Sequence, residues 1–240
     1  MQGLSGLRVM VTGAAGGIGR AVVDRLRTEG AVVMGVDMVQ PVDDALAFAG
    51  IADVTDEDSV TSVFDSAVRE VGAIDALVAT AGIQVTKPTH ELTTAEFRKV
   101  LDVSVIGTFV TTKYVIPRML AAGGGRIVTF GSTAAICSAP RLAAYAAAKG
   151  AVLQYTRSIA AEYGGRGIRS NCICPGGTMT AMMKDIDASS NGSDKFLERH
   201  PIGRYADPSE IAAGVAFLVS DDSSFVLGAN FMVDGGYSIG

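Results

Sequence analysis

The chain has 240 residues, 48% of them apolar and 19% charged, which is enough apolar sequence for one domain with a large buried core. Its formal net charge of −5 and the lack of any basic run argue against a nucleic-acid partner. Neither a transmembrane span nor a signal peptide is visible in the sequence, so we expect no membrane partner and a cytoplasmic location.

In chain order, apolar runs rich in Val and Ile alternate with helical patterns. The pattern predicts a strand at Leu7–Val11, a helix at Gly17–Glu29, strands at Ala31–Asp37 and Ile51–Asp53, a helix from a cap at Thr55 or Asp56 to about Val71, a strand at Ala76–Ala79, a helix from Thr94 to about Ala121, a strand at Arg126–Phe130, a helix at Leu142–Tyr163, a strand at Ile168–Ile173, a helix at Pro208–Val219 and a last strand at Asn230–Val233. Nearly continuous apolar strands are typical of parallel strands buried on both faces. Their alternation with helices predicts a doubly wound α/β fold.

No linker or change of composition divides the chain, so we predict a single domain over residues 1–240. The segment from about 179 to 204 is polar and fits no regular strand–helix unit. A segment of this length inside a domain is usually either a lid or disordered, and we favour a lid over the substrate site.

The cysteines and histidines show no pattern typical of metal ligands. Cys172 and Cys174 are two residues apart, so on a strand they share a face but are poorly placed to bridge each other. We therefore predict no metal site and interpret the cysteines as small buried residues. His90 and His200 stand alone in polar, loop-like segments, which predicts that both lie at the surface.

A glycine-rich loop, Thr12-Gly-Ala-Ala-Gly-Gly-Ile-Gly19, connects the first strand to the first helix. Glycines let a backbone approach a phosphate, and a helix N-terminus offers free N–H groups to a pyrophosphate. A tight turn would also need glycine, but the position between a strand and a helix favours nucleotide binding. The predicted cofactor contacts in the loop are Gly13, Ala15, Gly16, Gly17, Ile18 and Gly19.

Asp37 ends the second strand, eighteen residues after Gly19. A carboxylate there can accept hydrogen bonds from both ribose hydroxyls and would repel a 2′-phosphate. Neither Met38 nor Gly16 supplies a basic side chain to hold such a phosphate. The sequence therefore predicts NAD as the cofactor, in preference to NADP.

Tyr145 and Lys149 are four residues apart in a predicted helix and so lie on one face. A neighbouring ammonium favours the phenolate form of a tyrosine, and the hydroxyl of Ser132 could bond the same substrate oxygen. Together these groups could move a proton to or from an alcohol or a carbonyl. A surface Tyr–Lys pair is the alternative, and the glycine loop and Asp37 argue against it.

In their order and spacing, these motifs resemble those of the short-chain dehydrogenase/reductase family over essentially the whole chain. The matching pieces are the Thr12–Gly19 loop, Asp37, Asp53-Val54, Ala81-Gly82, Ser132, Tyr145-x-x-x-Lys149, Asn171 and Pro175-Gly176 with Thr180. The resemblance implies a three-layer Rossmann fold with a seven-stranded parallel sheet and a homotetramer. It also implies hydride transfer between NAD and a small-molecule alcohol or ketone.

The resemblance also implies individual roles. For the cofactor, it assigns Asp53 and Val54 to the adenine, Ala81 and Gly82 to the ribose side, Pro175 and Gly176 to the nicotinamide, and Thr178 and Thr180 to its carboxamide and the phosphates. Tyr145 would be the general acid/base, and Ser132 would orient the substrate oxygen. Lys149 would bind the nicotinamide ribose and lower the pKa of Tyr145.

Two stretches depart from the usual pattern of the family. Ala79-Thr80 stands where two asparagines are usual, and Ser104 stands where the long helix usually carries an asparagine. In the family that asparagine helps to hold a water that links the active-site lysine to solvent. We hypothesise that Ser104 is a working substitute in this proton relay.

Candidate substrate contacts are Gln84, Ala134, Ile136, Leu142, Gly177, Met179 and Met183. They are mostly apolar, which favours a neutral, hydrophobic or cyclic alcohol or ketone, although several could instead be core or oligomer contacts. Arg141 could bind an acidic group if it turned inward, but surface exposure is the favoured interpretation. The alternative to an alcohol dehydrogenase or carbonyl reductase is an NAD-binding regulatory or scaffold protein with weakened catalysis. A sugar-nucleotide epimerase would need an extra substrate domain.

Overall fold

A parallel sheet forms the centre of the protein. The structure is a computed structural model that describes residues 1–41, 45–137, 139–183 and 193–239. The strands of the sheet are β1 (Arg8–Thr12), β2 (Val32–Asp37), β3 (Phe48–Ile51), β4 (Ala76–Ala79), β5 (Gly125–Phe130), β6 (Ile168–Pro175) and β7 (Asn230–Val233). They pair in the order β3-β2-β1-β4-β5-β6-β7, and all the pairings are parallel. The predicted seven-stranded parallel sheet is confirmed.

Helices cover both faces of the sheet. In the described residues they are α1 (Gly17–Thr28), α2 (Glu57–Val71), α3 (Thr94–Leu101), α4 (Gly107–Ala121), α5 (Ala143–Tyr163), α6 (Ser193–Glu198) and α7 (Pro208–Val219). On one face α1 and α7 bury residues such as Leu26 and Ile211 against the strands. On the other face α2, α4 and α5 bury Phe64, Val115 and Ile159. These three layers confirm the doubly wound Rossmann fold.

The third strand lies earlier in the chain than predicted. It covers Phe48–Ile51, whereas Ile51–Asp53 was expected. Asp53 cannot continue the strand because its carboxylate accepts hydrogen bonds from the N–H and hydroxyl of Thr55, which forms a turn. Asp56 then caps α2 by accepting bonds from two first-turn N–H groups, so Asp56 and not Thr55 is the N-cap.

The predicted long helix is interrupted. One turn of π-helix, Asp102–Ile106, separates α3 from α4, and Ser104 is buried within it. By length and composition alone Thr94–Ala121 could cross a membrane, but 56% of its most apolar window is buried inside the protein. Met119 of α4 packs beneath the sheet, as expected for a core helix.

The cysteines of β6 are buried, as the sequence predicts, whereas Cys137, for which burial was also expected, is half-buried. Cys172 and Cys174 are free thiols on one face of the strand, and their Sγ atoms are 4.0 Å apart. The imidazole of His90 is exposed, also as predicted. No group of three or more His, Cys, Asp or Glu that could hold a metal occurs in the described part of the chain.

Candidate active site

The carboxyl ends of the central strands bring the sequence motifs to one edge of the sheet. Thr12 of β1 pairs with Ala79 of β4, and Ala79 pairs with Thr129 of β5. Phe130, at the end of β5, pairs with Ile173 of β6. Because the strand order reverses between β1 and β4, the segments that follow them open a crevice at this edge, where open α/β sheets bind ligands.

The loop between β1 and α1 has no room for side chains at three of its glycines. Gly13 has a φ of 70°, and a Cβ there would lie 2.6 Å from Thr80 Oγ1. A Cβ on Gly17 would lie 2.9 Å from Thr180 Cγ2, and one on Gly19 would lie 2.0 Å from the carbonyl oxygen of Gly13. The close packing of this loop therefore depends on glycine.

Helix α1 begins without a side-chain cap. Its N-cap residue is Gly16, and its first turn contains no acidic side chain. A helix end of this kind combines unpaired N–H groups with partial positive charge, so it fits a pyrophosphate. The groove along this edge is lined by Gly13, Ala15, Gly16, Gly17, Ile18 and Gly19 from the loop, and by Asp37, Asp53, Val54, Ala81, Gly82 and Thr180 from other segments.

Asp37 has a contact that the sequence did not indicate. Its Oδ2 accepts a hydrogen bond of 2.9 Å from the backbone N–H of Ala15. Its Oδ1 accepts a longer one, of 3.4 Å, from Val39. The carboxylate thus ties the glycine loop to the end of β2, in addition to bordering the groove where a ribose would lie.

Thr80, one of the departures from the usual family pattern, joins two strands. Its hydroxyl donates a hydrogen bond to the carbonyl oxygen of Thr12. Asn171 also has a local role, since its amide bonds the backbone of Val226 and Ala229 and so attaches β6 to the chain before β7. Both side chains therefore support the carboxyl edge from within the protein.

A cavity next to the groove contains the proposed proton-transfer residues. Ser132 and Tyr145 line it with Lys149, and Pro175, Gly176 and Thr178 form part of the same lining. Ser132 Oγ accepts a bond of 3.1 Å from the N–H of Ala134. The structure therefore brings the predicted serine, tyrosine and lysine into the lining of one cavity.

Burial determines the protonation of Tyr145. It raises the pKa of the phenol above its ordinary value of 10.0, and the hydrogen bond from Ser132 offsets only part of this effect. Burial therefore sets the net direction of this shift, and the expected lowering of the Tyr145 pKa by Lys149 stays a prediction. Four-residue spacing identifies a neighbouring ammonium, but it does not reveal how much water is removed from the phenol.

Lys149 is a buried cation. Its side chain is 4% exposed, and its Nζ donates a hydrogen bond of 2.9 Å to the carbonyl oxygen of Phe130. Nζ lies 5.6 Å from the centroid of the Tyr145 ring. Burial lowers the pKa of Lys149 from 10.5 to about 8.

Ser104 lies beside Lys149, at the π-helical turn. A Cβ on Gly82 would lie 3.2 Å from Lys149 Nζ and 3.5 Å from Ser104 Oγ, so both groups face the same glycine. Ser104 is fully buried, and its hydroxyl has no hydrogen-bond partner in the part of the chain described. A buried hydroxyl without a partner is costly, which suggests that it serves a group other than its protein neighbours.

The predicted substrate contacts divide into two sets. Gln84, Ala134, Leu142, Gly177 and Met183 line the cavity. Ile136 and Met179 do not appear in its lining and are 52% and 53% exposed, so that expectation is wrong for both. Arg141 is exposed, as favoured from the sequence.

Three further side chains of the cavity lining come from the last quarter of the chain: Met182, Phe196 and Tyr237. No local motif marks them, since they reach the site only through the fold. Met182 and Phe196 lie on either side of residues 184–192, and that central part of the predicted lid falls outside the described residues.

His200 corrects another expectation. It is 3% exposed and lies behind the cavity, whereas a surface position was predicted. Its Nε2 accepts a hydrogen bond of 3.1 Å from the N–H of Gly177, and its Nδ1 is 3.0 Å from the carbonyl oxygen of Phe196. The polar sequence around it did not reveal this burial because Gly177 lies 23 residues away along the chain.

Comparison with known proteins gives matches over nearly the whole chain. A family model described as enoyl-(acyl carrier protein) reductase matches residues 13–238. The cis-4-hydroxycyclohexanecarboxylate dehydrogenase of Sinomonas cyclohexanicum is 41% identical in an alignment of 239 positions that covers 95% of each chain. The 2-(S)-hydroxypropyl-CoM dehydrogenase 3 of Xanthobacter autotrophicus is 38% identical in an alignment of 242 positions that also covers 95% of each chain. The solved structure of Thermoplasma acidophilum aldohexose dehydrogenase has a TM-score of 0.92 at 33% identity and covers 99% of this chain and 96% of its own.

Proposed function

The chain belongs to the short-chain dehydrogenase/reductase family and is an oxidoreductase that interconverts an alcohol and a ketone with a nicotinamide cofactor; we propose that NAD(H) is this cofactor and Tyr145 the general acid/base. The names of the relatives favour an enzyme over the scaffold protein considered from the sequence. The observation that carries the proposal is the position of the buried Ser132–Tyr145–Lys149 group beside a loop that fits a pyrophosphate.

The proton-transfer step uses the chain's own side chains. The chemistry that a bound nicotinamide would supply is hydride transfer to or from the carbinol carbon. In reduction Tyr145 donates its phenolic proton to the substrate oxygen, and in oxidation its phenolate accepts the alcohol proton. Ser132 orients the same oxygen by a hydrogen bond, and the ammonium of Lys149 stabilises the phenolate.

The preference for NAD rests on Asp37. Its carboxylate borders the groove at the end of β2, and Met38 next to it supplies no positive charge for a 2′-phosphate. Asp37→Asn removes the charge but keeps an oxygen that can accept the bond from Ala15, whereas Asp37→Ala removes both. We expect the ratio of kcat/KM for NAD to that for NADP to fall in both variants, with the greater loss of total activity in Asp37→Ala. A wild type that prefers NADP would overturn this assignment.

The cavity supports a neutral substrate, with a cyclic alcohol or ketone as the favoured class. Among its described lining residues Lys149 is the one cation, and most others are apolar. The Nε2 of Gln84 is buried with no hydrogen-bond partner among the described residues, so it can donate to a second oxygen of the substrate. Ala134, Leu142, Gly177 and Met183 would supply the apolar contacts.

The homotetramer and the cytoplasmic location expected from the sequence stay predictions. Exposed apolar side chains in two parts of the chain support its association with further copies of itself. Ile106 and Phe109 are exposed around the start of α4, and Phe225 and Ile239 are exposed near the C-terminus. Sedimentation of the purified chain measures its oligomeric state directly.

The decisive experiment is an activity screen of the purified chain with NAD and NADH. Secondary alcohols and ketones, cyclic and open-chain, are tested with the wild type and with Tyr145→Phe. We expect activity in the wild type and a loss of kcat of about 10²–10⁴-fold in the variant, since general acid/base catalysis contributes factors of that size. The affinity for NADH, measured by fluorescence titration, should change little. A wild type that binds NADH but turns over none of these compounds would overturn the proposal.

A further inference from the structure

His200 occupies the centre of an aromatic cluster behind the catalytic cavity. Its ring centroid is 5.2 Å from that of Phe196, 5.6 Å from Tyr205 and 4.9 Å from Tyr237. Phe196 and Tyr237 line the cavity, whereas His200 does not. The imidazole can therefore influence the cavity only through the groups that it holds.

The two ring nitrogens of His200 hold backbone from two separate segments. Nε2 accepts from the N–H of Gly177, so it must carry a lone pair. Nδ1 then carries the hydrogen and donates it to the carbonyl oxygen of Phe196, which belongs to α6. The neutral tautomer with hydrogen on Nδ1 satisfies both contacts.

Gly177 has little freedom to find another partner. A Cβ at this position would lie 2.6 Å from Tyr205 Cδ1 and 3.0 Å from Phe196 Cε1, so the backbone runs directly against these rings. The carbonyl oxygen of Gly177 accepts a bond of 2.8 Å from the N–H of Ala206. This short stretch follows Pro175 and Gly176, and it forms part of the cavity wall.

We infer that His200 is a positioning residue for the substrate end of the cavity, an inference that rests on the proposed function. By binding Gly177 and Phe196 at once, it clamps the chain that leaves β6 to helix α6. It also supports the ring of Tyr237 from behind. The clamp sets the distance between the two cavity walls that Gly177 and Phe196 form. These walls contact the part of the substrate that lies away from the reacting carbon.

A histidine that only fills space in the core would not need both hydrogen bonds, and three substitutions distinguish these cases. His200→Gln offers an oxygen near the position of Nε2 and can accept from Gly177. His200→Asn offers an amide near Nδ1 and can donate to Phe196 only. His200→Phe keeps a ring but makes neither bond.

The test measures steady-state kinetics and amide exchange in the full chain. We expect KM for the ketone substrate to rise about tenfold in His200→Asn, the effect of losing about one hydrogen bond, and further in His200→Phe, which loses both bonds. His200→Gln keeps the bond to Gly177 and should raise KM less than His200→Phe does, and the affinity for NADH should be unchanged in all three. By mass spectrometry, the peptide that contains Gly177 should exchange faster in the Phe and Asn variants than in the wild type and the Gln variant.

Equal behaviour of His200→Gln and His200→Phe, in KM and in exchange, would overturn the inference. Wild-type kinetics and exchange in His200→Phe would do so as well. The exchange measurement does not depend on activity, so a wild type without turnover would refute the proposed function and still leave the clamp open to test. Thermal unfolding of each variant identifies any that fail to fold, and exchange is then compared among those that remain folded.

Discussion

The burial of Lys149 should make the stability of the protein depend on pH in a specific way. The pKa of this lysine falls from 10.5 to about 8 because the protein removes water from the ammonium. At about 1.4 kcal/mol per pKa unit, the folded state disfavours the charged lysine by about 3 kcal/mol. A single hydrogen bond to the carbonyl oxygen of Phe130 accompanies this charge.

The sign follows from proton binding in the two states. Below pH 8 the lysine is charged both in the folded and in the unfolded chain, so the whole penalty is present. Between pH 8 and 10.5 the folded lysine loses its proton first, the unfolded chain binds more protons, and stability rises with pH. The penalty should be about 3 kcal/mol at pH 7, about 2 kcal/mol at pH 9 and about 1 kcal/mol at pH 10.

Lys149→Met removes the ammonium and keeps most of the side-chain volume. Urea denaturation of the wild type and the variant at pH 7, 9 and 10 gives the difference in their free energies of unfolding. Relative to the wild type, the variant should lose about 2 kcal/mol of stability between pH 7 and pH 10. Titrating groups that do not interact with Lys149 cancel in this difference.

Lys99→Met, at an exposed lysine of α3, is the matched control, and its difference from the wild type should not vary with pH. The reasoning would be refuted if the difference in free energy of unfolding between Lys149→Met and the wild type did not change with pH. It would also be refuted if the variant became more stable relative to the wild type as the pH rises. The variant should also lose activity. A lysine proposed for catalysis that also weakens the fold would be an example of the trade between stability and function.

Two further predictions concern neighbours of the catalytic group. A Cβ on Gly131 would lie 2.8 Å from Cys174 Sγ, so Gly131→Ala should displace Ser132 and lower kcat. Adding Cys174→Ala should restore part of the lost kcat. Gly165→Ala is the control and should have no effect, because a Cβ on Gly165 would have no atom within 4 Å. Ser104→Ala should lower turnover several-fold without loss of thermal stability, because its hydroxyl has no partner among the described residues, and Ser104→Asn should keep or raise turnover; an unchanged Ser104→Ala enzyme would exclude the relay role.

The parts of the site that depend on local chemistry could be predicted from the sequence. The glycine loop is such a part, because Gly13 has a φ of 70° and a Cβ on Gly17 or Gly19 would lie 2.9 or 2.0 Å from its nearest neighbour, so these positions need glycine. Tyr145 and Lys149 are another, because helical spacing alone puts them on one face. Strand β4 was predicted with its observed bounds because both its faces are apolar.

The parts that depend on distant contacts could not be predicted. Phe196 and Tyr237 reach the cavity only because the chain after β6 returns to the carboxyl edge. His200 was expected at the surface because its sequence neighbours are polar, and its partners are 23 and 4 residues away. Strand β3 was misplaced because Phe48-Ala-Gly-Ile lacks the Val and Ile run that marks its neighbours.

The opposite pKa shifts of Tyr145 and Lys149 bear on the direction of catalysis. Burial favours the neutral form of each, which keeps Tyr145 a phenol at neutral pH while Lys149, with a pKa of about 8, is still charged. Reduction of a ketone can therefore begin from this state, because the phenol already holds the proton to be donated. Oxidation of an alcohol first needs the phenolate, so a proton must leave the pocket. Among the described residues, Ser104 has a buried hydroxyl without a partner, and this hydroxyl lies near Lys149. We therefore predict that Ser104→Ala slows oxidation of the alcohol more than reduction of the ketone.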